Sequence, residues 1–177
     1  MKELIDSLNF RQYFYVAVLS LITALLAYLL VFFAGNLASL YFAYDFDIGA
    51  SFSIKGMSFV IERSHPLWTY DAEVTILLSK PLVSLFIGIF SLIALILIKK
   101  INLIFFLFLL WLNIFAFNAA FGLFVDDFIS QVGLFYVAER MNLSLSVMVF
   151  LIALIFYFMY RLGVVNCLLF AQVMPQK

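Results

Sequence analysis

The hydrophobic and polar positions divide the chain into long apolar runs, short polar breaks and one stretch of a different period. Residues 12–44 form a run of 33 positions without a charged side chain. A spanning helix needs about 20 apolar residues, so this run predicts a first membrane helix over about residues 13–43, tilted or longer than the bilayer is thick. It exceeds the apolar core of a signal peptide, about 7–15 residues, so a retained helix is expected. Gly35 and Asn36 mark a candidate break inside it. Further apolar runs predict membrane helices over about residues 74–98, 101–125 and 141–160. Lys80-Pro81 falls in the first turns of the second helix, where a lysine can snorkel to the headgroups and a proline is tolerated. Lys99-Lys100 forms a tight turn before the third helix, and Asp126-Asp127 ends it. The segment FISQVGLFYVA, residues 128–138, is too short to span and reads as an interfacial or re-entrant helix before the fourth. Arg161 closes the fourth helix, and a short apolar tail follows to Val173.

The stretch with a different period is DFDIGASFSI. Phe46, Ile48, Ala50, Phe52 and Ile54 alternate with Asp45, Asp47, Gly49, Ser51 and Ser53. Alternation of this kind is the signature of a half-buried strand. Met57, Phe59 and Ile61 continue in phase beyond Lys55-Gly56, so a β-hairpin turning at that pair is expected. An irregular amphipathic loop is the alternative. A lone hairpin is marginal in water, so its apolar face should rest on the bilayer or on the helices. Residues 45–73, which include the polar ERSHPLWTYDAE, are expected outside the membrane. The predicted fold class is therefore an all-α polytopic membrane protein with about four transmembrane helices. A short β-hairpin follows helix 1 and a short interfacial helix precedes helix 4. All 177 residues form one membrane domain.

Composition strengthens this picture. Hydrophobic residues make up 67% of the chain and charged residues 11%, against about 25% charged in soluble domains. A soluble surface could not be covered by so few charges. The formal net charge is zero, which removes the basic field that nucleic-acid binding needs. The abundance of Phe, Ile and Asn matches an AT-rich, bacterial genome, so a bacterial inner (cytoplasmic) membrane is expected. With both termini cytoplasmic, Lys2, Arg11, Lys99, Lys100, Arg161 and Lys177 lie inside. Lys55, Arg63, Lys80 and Arg140 then lie outside. The positive-inside rule favours that orientation.

Candidate chemistry is sparse. The chain has one histidine, His65, and one cysteine, Cys167. A protein zinc site draws on three or four His, Cys or carboxylate ligands, and no HExxH, CxxC or HxH occurs, so no metal and no cofactor are expected. There is no GxSxG, no second histidine to act as base and no Gly-rich phosphate loop. Acids in a membrane are functional candidates by default. Tyr44-Asp45 and Tyr70-Asp71 each resemble the YD element of the presenilin-type aspartyl proteases. The partner GxGD element is missing, because Leu123 and Val125 stand where its glycines would precede Asp126.

The order of elements also resembles the core of the site-2 proteases, the intramembrane zinc metalloproteases. SKPLVSLFIGIF is similar to that family's GP-containing helix start, with Lys80 where Gly would be. NAAFGLFVDD has Asn118 and Asp126 at the spacing of the family's N-x-x-P-x-x-P-x-D-G motif. Phe121 and Phe124 replace its prolines, and Asp127 replaces its Gly. ASFSIKG resembles the hairpin that follows the metal helix. AGNLA then falls where HExxH would stand, with Ala34, Gly35 and Ala38 in place of the two histidines and the glutamate. The resemblance runs from about residue 21 to 127 and implies a fold without the catalysis: a pseudoprotease. The family places its hairpin on the cytoplasmic side, whereas the charge count here places it outside.

These observations point first to a non-catalytic membrane protein that acts by binding, as an accessory subunit, assembly factor or scaffold. Its expected partners are other membrane proteins and the lipid bilayer. Ala116, Ala119, Ala120 and Gly122 would allow close helix contact. A small transporter or channel subunit using Asp126, Asn118 and Asn113 is the second reading, and a diverged intramembrane protease the third. No catalytic residue is assigned. The candidate ligand or partner contacts are Asp126, Asp127, Asn118, Asn113 and Arg140. Arg140 and Lys80 are the expected charge partners of the aspartates, which should lie at the membrane boundary.

Overall fold

A computed structural model describes residues 2–54, 56–98 and 102–171, with side chains from residue 10. Five helices and one hairpin follow in order: α1 (Lys2–Asp45), β1 (Ala50–Ser53), β2 (Gly56–Phe59), α2 (Tyr70–Leu97), α3 (Leu103–Ser130), α4 (Leu134–Arg140) and α5 (Leu145–Ala171). The helices α1, α2, α3 and α5 are long and apolar enough to cross a membrane, and the chain is a multi-pass membrane protein. The helical membrane fold is as the apolar runs predict, and the hairpin after helix 1 is as the alternation predicts.

The helices pack through stripes of small residues. On α1 the buried positions Ser20, Thr23, Ala27, Val31, Gly35, Ser39 and Ala43 recur every three or four residues. On α2 the matching stripe is Ala72, Ile76, Ser79, Ser84, Gly88, Ser91 and Leu95. Lipid provides no hydrophobic drive between helices, so close backbone approach and interhelical hydrogen bonds hold them. Ser39 Oγ and Ser79 Oγ lie 2.8 Å apart, and the Trp111 indole donates to Ser20 Oγ at 2.8 Å. A Cβ on Gly88 would stand 3.2 Å from the Phe117 ring. The apolar core joins Ala27 and Val31 of α1, Leu95 of α2, and Leu110, Leu112 and Ala116 of α3.

Several boundaries differ from the sequence reading, each for a local reason. Asn36 does not break α1: its side-chain amide donates to the Phe32 carbonyl at 2.7 Å, inside a continuous helix. α2 starts at Tyr70, where Thr69 Oγ1 caps Ala72 N at 3.2 Å. Lys80 and Pro81 are therefore the eleventh and twelfth residues of the helix, about three turns in rather than in its first turns. α3 runs on past Asp126-Asp127 to Ser130 and stops where Gln131 turns left-handed, at φ 54. The fourth span begins at Leu145 and does not end at Arg161, since Val164 to Ala171 remain helical. Lys99-Lys100 lies outside the described residues.

The hairpin is shorter than the alternation suggests. Strand pairing covers Ala50↔Phe59 to Ser53↔Gly56. Gly56 is thus a strand residue, at φ +113, and the turn falls one residue earlier than expected, between Ser53 and Gly56. Lys55 lies outside the described residues. Phe46 and Asp47 belong to the turn that leaves α1, with Ile48 N bonded to Ala43 O at 2.8 Å. Ser51 and Ser58 face outward, their hydroxyls 2.9 Å apart. Ile48 and Ala50 pack with Ala43, Trp68, Ala72 and Ile76 in a second core. The hairpin lies back along α1, where the Phe52 ring meets Phe32 and Phe33 at centroid distances of 5.9 and 5.7 Å.

Candidate functional site

Lys80, Asn36, Asn118 and Asp126, polar groups inside the spans, collect where α1, α2 and α3 meet. Gly35 makes this possible. A Cβ there would stand 2.9 Å from Lys80 Cγ and would push the lysine stem aside. Lys80 Nζ then donates to Asn36 Oδ1 at 3.4 Å and lies 6.0 Å from the centre of the Phe32 ring. Asn36 is 1% exposed.

Beside Lys80 is a cavity of about 510 Å³. Its polar wall is Lys80, Asn118 and Asp126, and its apolar wall includes Tyr28, Phe32 and Phe115, with Ile54 of the hairpin at the edge. Asn118 opens a π-helical turn, Asn118–Gly122, inside α3. Such turns widen a helix by one residue and often occur at functional sites. Asn118 and Asp126 also line a cavity of about 300 Å³ on the α5 side, against Ile155, Phe156 and Met159. A third, about 180 Å³, lies among Asn36, Ser39, Lys80, Pro81 and Asp127.

The two aspartates do different things. Asp127 Oδ2 accepts the Leu134 N–H at 2.8 Å, and its carbonyl accepts from Val132 N at 2.9 Å. It therefore ties the end of α3 to the start of α4. Gly133 sits against this carboxylate at φ +50, and a Cβ there would collide with it. Asp126 is exposed and makes no hydrogen bond or ion pair among the described residues. Lys80 shares a cavity with each aspartate.

Arg140 is not their partner. Its Nε donates to Glu73 Oε2 at 3.2 Å, because α4 lies over the start of α2. Arg63 joins the same end, 4.5 Å above the Tyr136 ring. Asn113 is also apart from the cavity, fully buried at 0% exposure. It donates to Gly88 O at 2.9 Å and Ser91 Oγ at 3.3 Å, and accepts from Asn166 Nδ2 at 3.0 Å. That set joins α2, α3 and α5, so Asn113 holds the helices together. Of the five predicted contacts, the structure brings Asn118 and Asp126 to the main cavity, places Asp127 behind it and puts Asn113 and Arg140 elsewhere.

No family model, curated protein or solved structure matches the chain. Among the described residues, no three His, Cys, Asp or Glu side chains come together.

Asn36, expected as a break, and Asn166, expected in an apolar tail, both bond between helices. Each is a polar residue inside an apolar run, which was the available signal. Arg161 is expected just past the fourth helix. Arg161 lies within α5, exposed and with no hydrogen bond or ion pair among the described residues. Only Met148 and Asn166 of the 27 residues of α5 are buried.

Proposed function

We propose that the chain is a non-catalytic subunit that binds a second membrane protein along α5, as accessory subunit, assembly factor or scaffold. Exposed Arg161 on an almost unpacked spanning helix carries this reading. It stands ten residues from Ala171, about 15 Å along the helix. A charge at membrane depth costs about 2.5–3.5 kcal/mol on insertion scales, and snorkelling relieves part of that. A carboxylate on a neighbouring helix relieves more and fills the open face. The partner is therefore a transmembrane helix that presents Asp or Glu opposite Arg161. We place the assembly in a bacterial inner membrane with both termini cytoplasmic.

The test is site-specific photocrosslinking from Phe158 and Val165, which share the Arg161 face, with Leu21 on α1 as control. One protein adduct is expected from the α5 positions. It should disappear with Arg161→Glu and return when the partner's acid is changed to Lys. Lipid adducts alone from both faces would reject the reading.

Descent from a site-2-protease-like core belongs to the same proposal. Three observations support it: Gly35 lies against Lys80, Lys80 shares one cavity with Asp126, and it shares another with Asp127. Ala34, Gly35 and Ala38 offer no side chain that can ligate a metal.

A second reading, transport, draws on Asn118 and Asp126 lining cavities on both sides of the π-turn. Ion flux in liposomes that Asp126→Asn abolishes would favour it.

A further inference from the structure

We infer that the cavity between α1 and α3 holds one phospholipid headgroup with both a phosphate and a primary ammonium, the phosphate on Lys80 and the ammonium on Asp126. This site is separate from the α5 face and does not depend on it.

Hydrogen-bonding capacity at this cavity is unused. An ammonium has three donors, and Lys80 gives one to Asn36. The Asp126 carboxylate and the Asn118 amide make no hydrogen bond among the described residues. All three groups belong to helices long and apolar enough to cross a membrane. Polar groups at such depth face a partner or a wet cavity.

The charges at the cavity point to the same headgroup. One cation and one anion face the cavity without forming an ion pair, since the only ion pair among the described residues is Arg140–Glu73. A zwitterion inserted between them satisfies both and adds no net charge. A purely anionic headgroup would leave Asp126 facing a second negative charge, and a choline headgroup has no N–H for Asp126 and Asn118 to accept.

Size and walls agree. The volume of about 510 Å³ lies in the usual range for small-molecule sites, about 300–1,000 Å³. Tyr28, Val31 and Phe115 supply an apolar side. Tyr28 is 48% exposed, so that side leads to the outer surface of α1, where acyl chains can lie.

The experiment is native mass spectrometry of the delipidated full-length protein offered equal amounts of phosphatidylethanolamine, phosphatidylglycerol and phosphatidylcholine. One phosphatidylethanolamine should be retained about tenfold over either competitor, the size expected for one charge-assisted hydrogen bond. Asp126→Asn, at an exposed residue without partners, should fold and lose that preference. Lys80→Gln should lose it too, and Glu139→Gln should not. Equal retention of the three lipids overturns the proposal, as does a preference that survives Asp126→Asn. Soluble glycerophosphoethanolamine competing as well as the lipid would overturn the lipid assignment.

Discussion

Single residues set how closely the spans approach. Gly88 faces the Phe117 ring so closely that a Cβ would stand 3.2 Å from it, and the ring would have to give by a few tenths of an ångström. Gly88→Leu should lower stability by about 1–3 kcal/mol, the usual cost of overpacking. Unfolding in mixed micelles measures it, with Gly163→Leu, where a Cβ meets nothing, as the unaffected control. Asn113 contributes through hydrogen bonds rather than volume. Asn113→Ala removes its bonds to Gly88, Ser91 and Asn166. Interhelical hydrogen bonds in membranes average about 0.6 kcal/mol with a maximum near 1.7, so a loss in that range is expected in the same assay. Asn113 was legible as a polar residue in an apolar run. Its partners were not, because Gly88 and Asn166 lie 25 and 53 positions away.

Elements are joined by a few specific contacts. The end of α3 and the start of α4 meet through Asp127, Leu134 and Gly133. A side chain at Gly133 must both adopt a left-handed φ and displace the carboxylate. Gly133→Ala should therefore cost about 1–3 kcal/mol, with faster proteolysis around residues 131–144 as the readout. The hairpin depends on its apolar face. Phe52 anchors it to Phe32 and Phe33, and Phe59 meets Trp68 edge to face at a centroid distance of 4.9 Å. Phe52→Ala should expose residues 50–60 to protease while the helical circular dichroism stays constant. The alternation revealed the hairpin, because period two separates a strand from a helix. It overstated the length, since Asp45 alternates equally well as the last residue of α1.

At the scale of the whole molecule, the four long apolar helices bring the end of α5 back to the end of the bundle where α1 starts. Tyr13 of α1 and Phe170 of α5 line one cavity at the same end of the bundle. Reporter fusions at the two termini should therefore give matching compartment signals, and opposite signals would mean that one helix does not cross. The helices differ in how much they bury. α5 is nearly bare, while α3 is enclosed by α1 and α2. The proposed partner face on α5 rests on that asymmetry, and the Arg161→Glu crosslinking test addresses it directly.

The sequence by itself determined that this is a membrane protein with four long helices and a hairpin. Apolar run length and period are local properties, and the bilayer demands both whatever the tertiary arrangement. It also singled out Asp126 and Asn118, because polar groups are rare enough in such runs to stand out one by one. Which polar groups meet was decided only in three dimensions. Lys80 reaches Asn36 across 44 positions because Gly35 leaves space for its stem. Arg140 goes to Glu73 because α4 folds over the start of α2. Helix rotation, tilt and phase fix these pairings, and a stripe of apolar residues that faces lipid reads the same as one that faces a neighbouring helix.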